Sequence, residues 1–277
     1  MTVGGRFLSR LVTMLVALVG LVVVGAVPAV AESNSRTVQY VALGDSYAAG
    51  QGGGDYLNKC LESPNGYPYL LDAEKRIHLR TNVACTGAST EEVAKTQLSA
   101  LNRGTRLVTL TVGAADLNLS GVLTACTAVP PTGCEDAIRA ALVQLPTLAV
   151  NLTSLNLSVA AAAPNALIVV TGYPHLFEIV PGDPSAALKV QINNAITLLN
   201  TTIQQSVAAA DQATDVKIIY VGVTDEFAGH GIGSQEPFIN SQGEGAYHPN
   251  AAGYRAYADA IFAAVRSASL DDKKQGA

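Results

Sequence analysis

Short apolar runs recur at 38–43, 82–85, 107–112, 166–171 and 216–221, and a glycine follows each within two residues. Their length and content read as five short strands buried on both faces. Between them, spacings of three and four predict helices over 67–79, 135–163, 185–210 and 249–267. Pro68 suits a first helical turn, Pro184 stands just ahead of another, and Pro146 falls inside the second helix, where it predicts a kink. Tyr254, Tyr257, Ile261 and Val265 share one face of the last helix. Ser89 or Thr90 can cap a further helix, with Glu91 and Glu92 in its first turn. Strands alternating with helices, each strand wholly apolar, predict one α/β domain with a parallel sheet covered on both faces. The glycine-rich stretch 50–54 reads as a flexible loop, 227–245 as irregular chain and 271–277 as an unstructured tail. No Gly-Lys-Ser/Thr follows the glycines, so they do not make a phosphate-binding loop.

The first residues stand apart from this pattern. Arg6 and Arg10 precede an apolar run over 11–27, then Pro28 and Ala29-Val30-Ala31. That is the form of a signal peptide cleaved after Ala31, with the domain spanning 32–277; an uncleaved membrane anchor is the alternative. No cysteine stands at the cleavage point, which argues against a lipid anchor. Removing two arginines and no acids takes the formal charge from −5 to −7. A mildly acidic chain of this kind lacks the basic face that nucleic acid requires. With no tryptophan, platforms for stacking sugars are sparse.

The four cysteines, Cys60, Cys85, Cys126 and Cys134, all follow the cleavage point, and an exported chain meets an oxidising compartment. Two disulfides are expected, with three pairings open in principle. Cys126 and Cys134 flank the turn-rich segment 127–133, which favours closure of that loop and leaves Cys60 with Cys85. No Cys-x-x-C spacing suggests a metal, and no cofactor is expected.

The candidate chemistry begins at Gly44-Asp45-Ser46, directly after the first strand. A serine there stands at the top edge of an open α/β sheet, where such folds bind ligands. Its hydroxyl is a candidate nucleophile and its own N–H a candidate oxyanion donor. The plainer reading is that Asp45 or Ser46 only caps a helix. Three further blocks follow in order: Cys85-Thr86-Gly87-Ala88 after the second strand, Gly113-Ala114-Ala115-Asp116 after the third, and Tyr247-His248-Pro249-Asn250 before the last helix. With Gly172-Tyr173-Pro174 leading into Leu176-Phe177, this series resembles the SGNH (GDSL) hydrolase family, in its secreted actinobacterial esterase and lipase branch. The resemblance covers nearly the whole chain after residue 31. It implies a three-layer αβα sandwich around a central five-stranded parallel sheet of the flavodoxin-like kind. It implies Ser46 as nucleophile, His248 as general base, and the N–H groups of Ser46 and Gly87 as the oxyanion hole. The implied activity is secreted hydrolysis of small-molecule or lipid acyl esters by a monomer. Pro249 suits the start of a helix and holds the residue before it outside, a rigid perch for an imidazole.

Two positions depart from the family pattern. Its third block carries an asparagine that donates a further oxyanion hydrogen bond, where this chain has Ala115; Asn118 is the nearest candidate substitute. Many members place an aspartate three residues before the histidine, where this chain has Gly245. The Gly245 carbonyl is the expected partner of the imidazole, with Glu244 as its side-chain rival. The lost asparagine keeps open a weakened or inactive binding protein on the same fold, and an acyltransferase, in which an alcohol replaces water, is a further alternative. His78, His175 and His230 read as surface or loop residues, Asp225-Glu226 as a solvated pair, Asp45 as a brace for its turn and Asp116 as a loop anchor. Asn151, Asn156 and Asn200 fit the glycosylation acceptor pattern.

Overall fold

Strand β1 (Val38–Gly44) is buried from Tyr40 onward, and it lies inside the sheet with a neighbour on each side. The computed structural model describes residues 37–128 and 130–275; the expected signal segment lies outside the described residues. Five parallel strands, β2 (Ile77–Asn82), β1, β3 (Leu107–Thr111), β4 (Leu167–Thr171) and β5 (Ile218–Val221), lie side by side in the order 2-1-3-4-5. The central strands β1, β3 and β4 are almost wholly buried, whereas edge strand β2 alternates, with Ile77 inward and His78 exposed. That difference is why the central runs read as continuous apolar sequence.

Short helices α1 (Ser46–Ala49) and α2 (Tyr67–Asp72) follow β1, and α2 packs on α8 (Ala251–Gln275). The second helical layer comprises α3 (Thr90–Thr96), α6 (Leu145–Ala162) and α7 (Ala186–Gln212), with α4 (Leu119–Thr127) and α5 (Cys134–Val143) beside it. The expected α/β sandwich around a five-stranded parallel sheet is therefore the observed fold. The order in which strands are added reverses at β1, with β2 on one side and β3 on the other, and the crevice above the carboxyl ends of β1 and β3 is where this topology binds ligands.

Several element boundaries differ from the sequence reading. The helix expected over 67–79 stops at Asp72; Arg76 adopts φ 80° and turns the chain into β2. Asp72 accepts a 2.6 Å hydrogen bond from the Leu79 N–H, fixing that turn. The second strand consequently lies at 77–82, and 83–85 continue extended beside β1 through Val83 N–H to Ala42 C=O and Cys85 N–H to Gly44 C=O. Pro146 does not kink one helix but stands at the start of a new one, α6, after a break at Gln144. Helix α4 was not visible as a separate element in the apolar pattern. Helix α8 runs to Gln275, through the segment read as a tail. Ser89 caps α3 in a reciprocal box with Glu92. Both disulfides form as paired from the sequence, Cys60–Cys85 and Cys126–Cys134. Asn156 and Asn200 are buried, so those two glycosylation patterns are not accessible acceptors.

Candidate active site

The close approach of β1 and β3 sets the position of Ser46. Gly44 has φ 132°, and a Cβ there would meet the Thr111 carbonyl oxygen at 2.1 Å, so only glycine fits. The Asp45 N–H then donates to that carbonyl at 2.9 Å. The Gln97 side chain holds Gly44 at both backbone groups, accepting from its N–H at 2.7 Å and donating to its C=O at 2.9 Å. Asp45 caps α1 by accepting from the Tyr47 N–H, and Ser46 is the helix's first residue. Asp45 is thus the turn brace expected from the sequence.

The structure brings Ser46 and His248 together across 202 residues of chain, with Ser46 Oγ 2.8 Å from His248 Nε2. His248 Nδ1 lies 2.8 Å from the Ala246 carbonyl oxygen. A carbonyl can only accept, so Nδ1 carries the proton and Nε2 offers its lone pair to the serine hydroxyl. Burial pushes the His248 imidazole down to about 4, against a weaker upward pull from the Ala246 carbonyl. The imidazole is therefore neutral at neutral pH, the state required of a base.

The partner of Nδ1 differs from both sequence candidates. The Gly245 carbonyl accepts from the His248 N–H instead, and the Glu244 carbonyl accepts from Gln51 Nε2. The loop closes into a tight turn, which carries the carbonyl two residues before the histidine, not three, under the ring. Tyr247 holds this turn with φ 63°, its N–H donating to Asn240 C=O and its carbonyl accepting from the Tyr47 hydroxyl at 2.6 Å. The 50–54 loop is pinned rather than loose: a Cβ on Gly52 would strike Pro249 O at 2.4 Å, and Asn240 Nδ2 donates to Gly52 C=O. Asn65 and Ser63 donate to Gly53 and Gly54 carbonyls.

Ser46, Gly87, Ala115 and His248 line one cavity of about 600 Å³. Among the described residues, neither the Ser46 nor the Gly87 N–H has a protein acceptor. Such uncommitted donors beside a serine hydroxyl suit a developing oxyanion. Gly87 has φ 77° and open space where a Cβ would point. Ala115 presents only a methyl group. Asn118 does not replace the missing amide: it starts α4 in a left-handed conformation, with its side chain folded over Gly121 and outside the cavity lining. Asp116 accepts from the Thr90 N–H and hydroxyl, anchoring the third block to α3.

One participant had no signal in the sequence pattern beyond its motif. The buried Tyr173 hydroxyl donates to Asp45 Oδ2 at 2.5 Å and accepts from the Ala114 N–H at 3.2 Å, joining the first and third blocks. Burial raises the Asp45 carboxyl to about 7, while the hydrogen bonds from Tyr173 and Tyr47 pull it down. Asn200 holds the Tyr173 backbone by donating to its C=O and accepting from its N–H. The remaining histidines lie elsewhere: His78 is 3.7 Å from Asp72, His175 bonds Thr197, and His230 stacks on Phe238. Asp225 and Glu226 are exposed. Among the described residues, no group of three or more His, Cys, Asp or Glu side chains is arranged to hold a metal.

The sequence pattern of the GDSL-like Lipase/Acylhydrolase family matches residues 42–256, from β1 through the histidine turn into α8. The chain belongs to the GDSL-like lipase/acylhydrolase family. It is similar to Lipase 1 of Streptomyces coelicolor, at 34% identity over 88% of this chain and 94% of that protein. Two solved structures resemble this GDSL-like chain closely. An extracellular lipase of Streptomyces rimosus superposes with a TM-score of 0.75 at 29% identity, covering 82% of this chain and 99% of that one. A phospholipase A1 of Streptomyces albidoflavus gives 0.74 at 32% identity over the same shares. The GDSL-like family's block order is thus matched by block positions around one cavity, with Ala115 standing in its lining.

Proposed function

We propose that this protein is a secreted serine ester hydrolase whose nucleophile is Ser46 and whose base is His248. The observation that carries the reading is the 2.8 Å contact between Ser46 Oγ and an imidazole nitrogen left unprotonated by its partner on the other side. Ser46 attacks the ester carbonyl as His248 Nε2 takes its proton, forming the carbon–oxygen bond to the serine. The oxyanion meets the N–H groups of Ser46 and Gly87. His248 returns the proton to the leaving alcohol as the ester bond breaks, then takes one from a water that attacks the acyl carbonyl and hands it to Ser46 Oγ as the acyl–serine bond breaks, releasing the acid. The Ala246 carbonyl stabilises the transient imidazolium, the task an aspartate performs in a triad. No step calls for a metal or cofactor. The substrate is a small-molecule or lipid acyl ester, with no nucleic-acid partner, and the chain acts as an exported monomer after cleavage at Ala31. The lipase names of its relatives support the ester substrate, and the extracellular description of the Streptomyces rimosus lipase supports the export.

Ala115 favours a second reading, a binding protein that kept the fold with little catalysis. Hydrolysis of p-nitrophenyl butyrate separates the two. Wild type should turn over while Ser46→Ala and His248→Ala lose at least about a thousand-fold, as removal of a triad member does elsewhere. Turnover by wild type no faster than by Ser46→Ala excludes the hydrolase.

A further inference from the structure

Gln51, just beyond α1, is bonded to three of the segments that meet at the cavity. Its N–H donates to the Ser46 carbonyl at 3.0 Å, and its own carbonyl accepts from the Tyr254 hydroxyl at 2.6 Å, so its backbone is fixed to α1 and α8. Its side-chain amide is engaged at both ends. Oε1 accepts from the Thr86 hydroxyl at 2.6 Å, and Nε2 donates to the Glu244 carbonyl at 2.7 Å. Reversing the amide would set its oxygen against the Glu244 carbonyl, two acceptors face to face, so the pairing has one sense.

Each end of this amide adjoins a group the reaction uses. Thr86 precedes Gly87, which has φ 77° and no atom within 4 Å of where a Cβ would stand. Packing therefore does not wedge Gly87 in place; hydrogen bonds on its neighbours do, from Cys85 N–H to Gly44 C=O, Ala88 N–H to Cys85 C=O and Thr86 N–H to Cys60 C=O. None of these reaches the histidine turn, whereas the Thr86 hydroxyl does so through Gln51. Glu244 stands two residues before Ala246, whose carbonyl meets His248 Nδ1. Residues 241–244 are exposed, and among the described residues the Glu244 carbonyl has no other donor.

Resting on the hydrolase reading above, we infer that Gln51 is a positioning residue, a strut that sets the distance between the Gly87 N–H and the turn carrying His248. Ala115 offers no amide, so the oxyanion depends on two N–H groups from separate blocks, and their placement against Ser46 and His248 decides the rate. Gln51 also lines the cavity, where direct contact with the ester is the competing role. Its amide oxygen and nitrogen each already hold a protein partner, which favours the strut.

The test is steady-state hydrolysis of p-nitrophenyl butyrate by wild type, Gln51→Met, Thr86→Val and the double variant, with a thermal melt of each. Methionine keeps the length of the side chain and removes both hydrogen bonds; valine keeps the shape of threonine and removes one. Gln51→Met should lose at least about fivefold in kcat with KM within about twofold, because misplaced donors are missed in the transition state and not in the ground state. Thr86→Val should lose at least about threefold in kcat, and less than about twofold when added to Gln51→Met, since the strut is then already gone. Smaller losses in the folded single variants, a change in KM alone, or losses that multiply in the double variant overturn the inference. If Gln51→Met does not fold, kcat of Thr86→Val decides alone. Turnover by wild type no faster than by Ser46→Ala refutes the hydrolase reading and this inference with it; normal wild-type turnover with any of the overturning results refutes the strut only.

Discussion

Ala115→Asn should make the protein a faster enzyme. The position is part-exposed and lines the cavity at Ser46, so the added amide enters open space rather than packed core. The Ala115 carbonyl accepts from the Asn118 N–H at 3.0 Å, a bond the substitution leaves alone. One oxyanion donor is worth about 2.7–4 kcal/mol of transition-state stabilisation. Ordering a side chain with no fixed neighbours takes back about 1 kcal/mol. The net gain is about 2–3 kcal/mol, or roughly 30- to 150-fold at about 1.4 kcal/mol per decade. Because the hydrogen bond is made to the oxyanion and not to the ground-state carbonyl, the gain belongs in kcat with KM little changed. Steady-state hydrolysis of p-nitrophenyl butyrate reads both constants, and a thermal melt reports whether the fold is intact. A folded variant with unchanged or lower kcat would refute the reasoning, since it would mean that position 115 does not face the developing charge.

Four further outcomes follow from the geometry. Because burial holds the His248 imidazole near 4, kcat/KM should stay level from neutral pH down to about 5 and fall through about 4, not through the ordinary value near 6.5; a stopped-time pH series decides it. The same shift makes the unfolded chain bind a proton between about 6.5 and 4 that the folded chain refuses, so the stability from this group is full above 6.5 and lost as pH falls through 4. Tyr173→Phe leaves buried Asp45 and the Ala114 N–H each one partner short and should cost about 1–3 kcal/mol, read as a fall of several degrees in Tm; an unchanged Tm contradicts the brace. Paired serine substitutions at Cys60–Cys85, 25 residues apart, should cost about 3.5 kcal/mol in urea unfolding, and at Cys126–Cys134, eight apart, about 2.5; equal stability to wild type contradicts this.

Much of this molecule is legible from its sequence because its central strands are buried on both faces, which writes them as unbroken apolar runs closed by glycine. Ser46 and His248 were nominated by motif order, and the fold places them in contact over 202 residues. Edge strand β2 was misplaced because Ile77-His78-Leu79-Arg80 alternates with period two inside a stretch that also fits a helix; the alternation was the signal to weigh. Helix α4 is short and adjoins a loop rich in turn residues, so its periodicity did not stand out. What the sequence does not encode locally is side chain to backbone pairing at a distance. Gln97 reaches Gly44 across 53 residues, and Tyr173 reaches Asp45 across 128. The Ala246 carbonyl is equally invisible, since any residue has a carbonyl and only the turn geometry chooses which one lies under the imidazole.

The most direct measurement is covalent capture of the serine. An intact-mass spectrum after treatment with a fluorophosphonate should show one adduct per chain, mapped to the peptide containing Ser46, absent from Ser46→Ala and strongly slowed in His248→Ala. An unmodified wild-type chain, or an adduct that persists when Ser46 is replaced, would contradict the claim that this hydroxyl is activated by that imidazole.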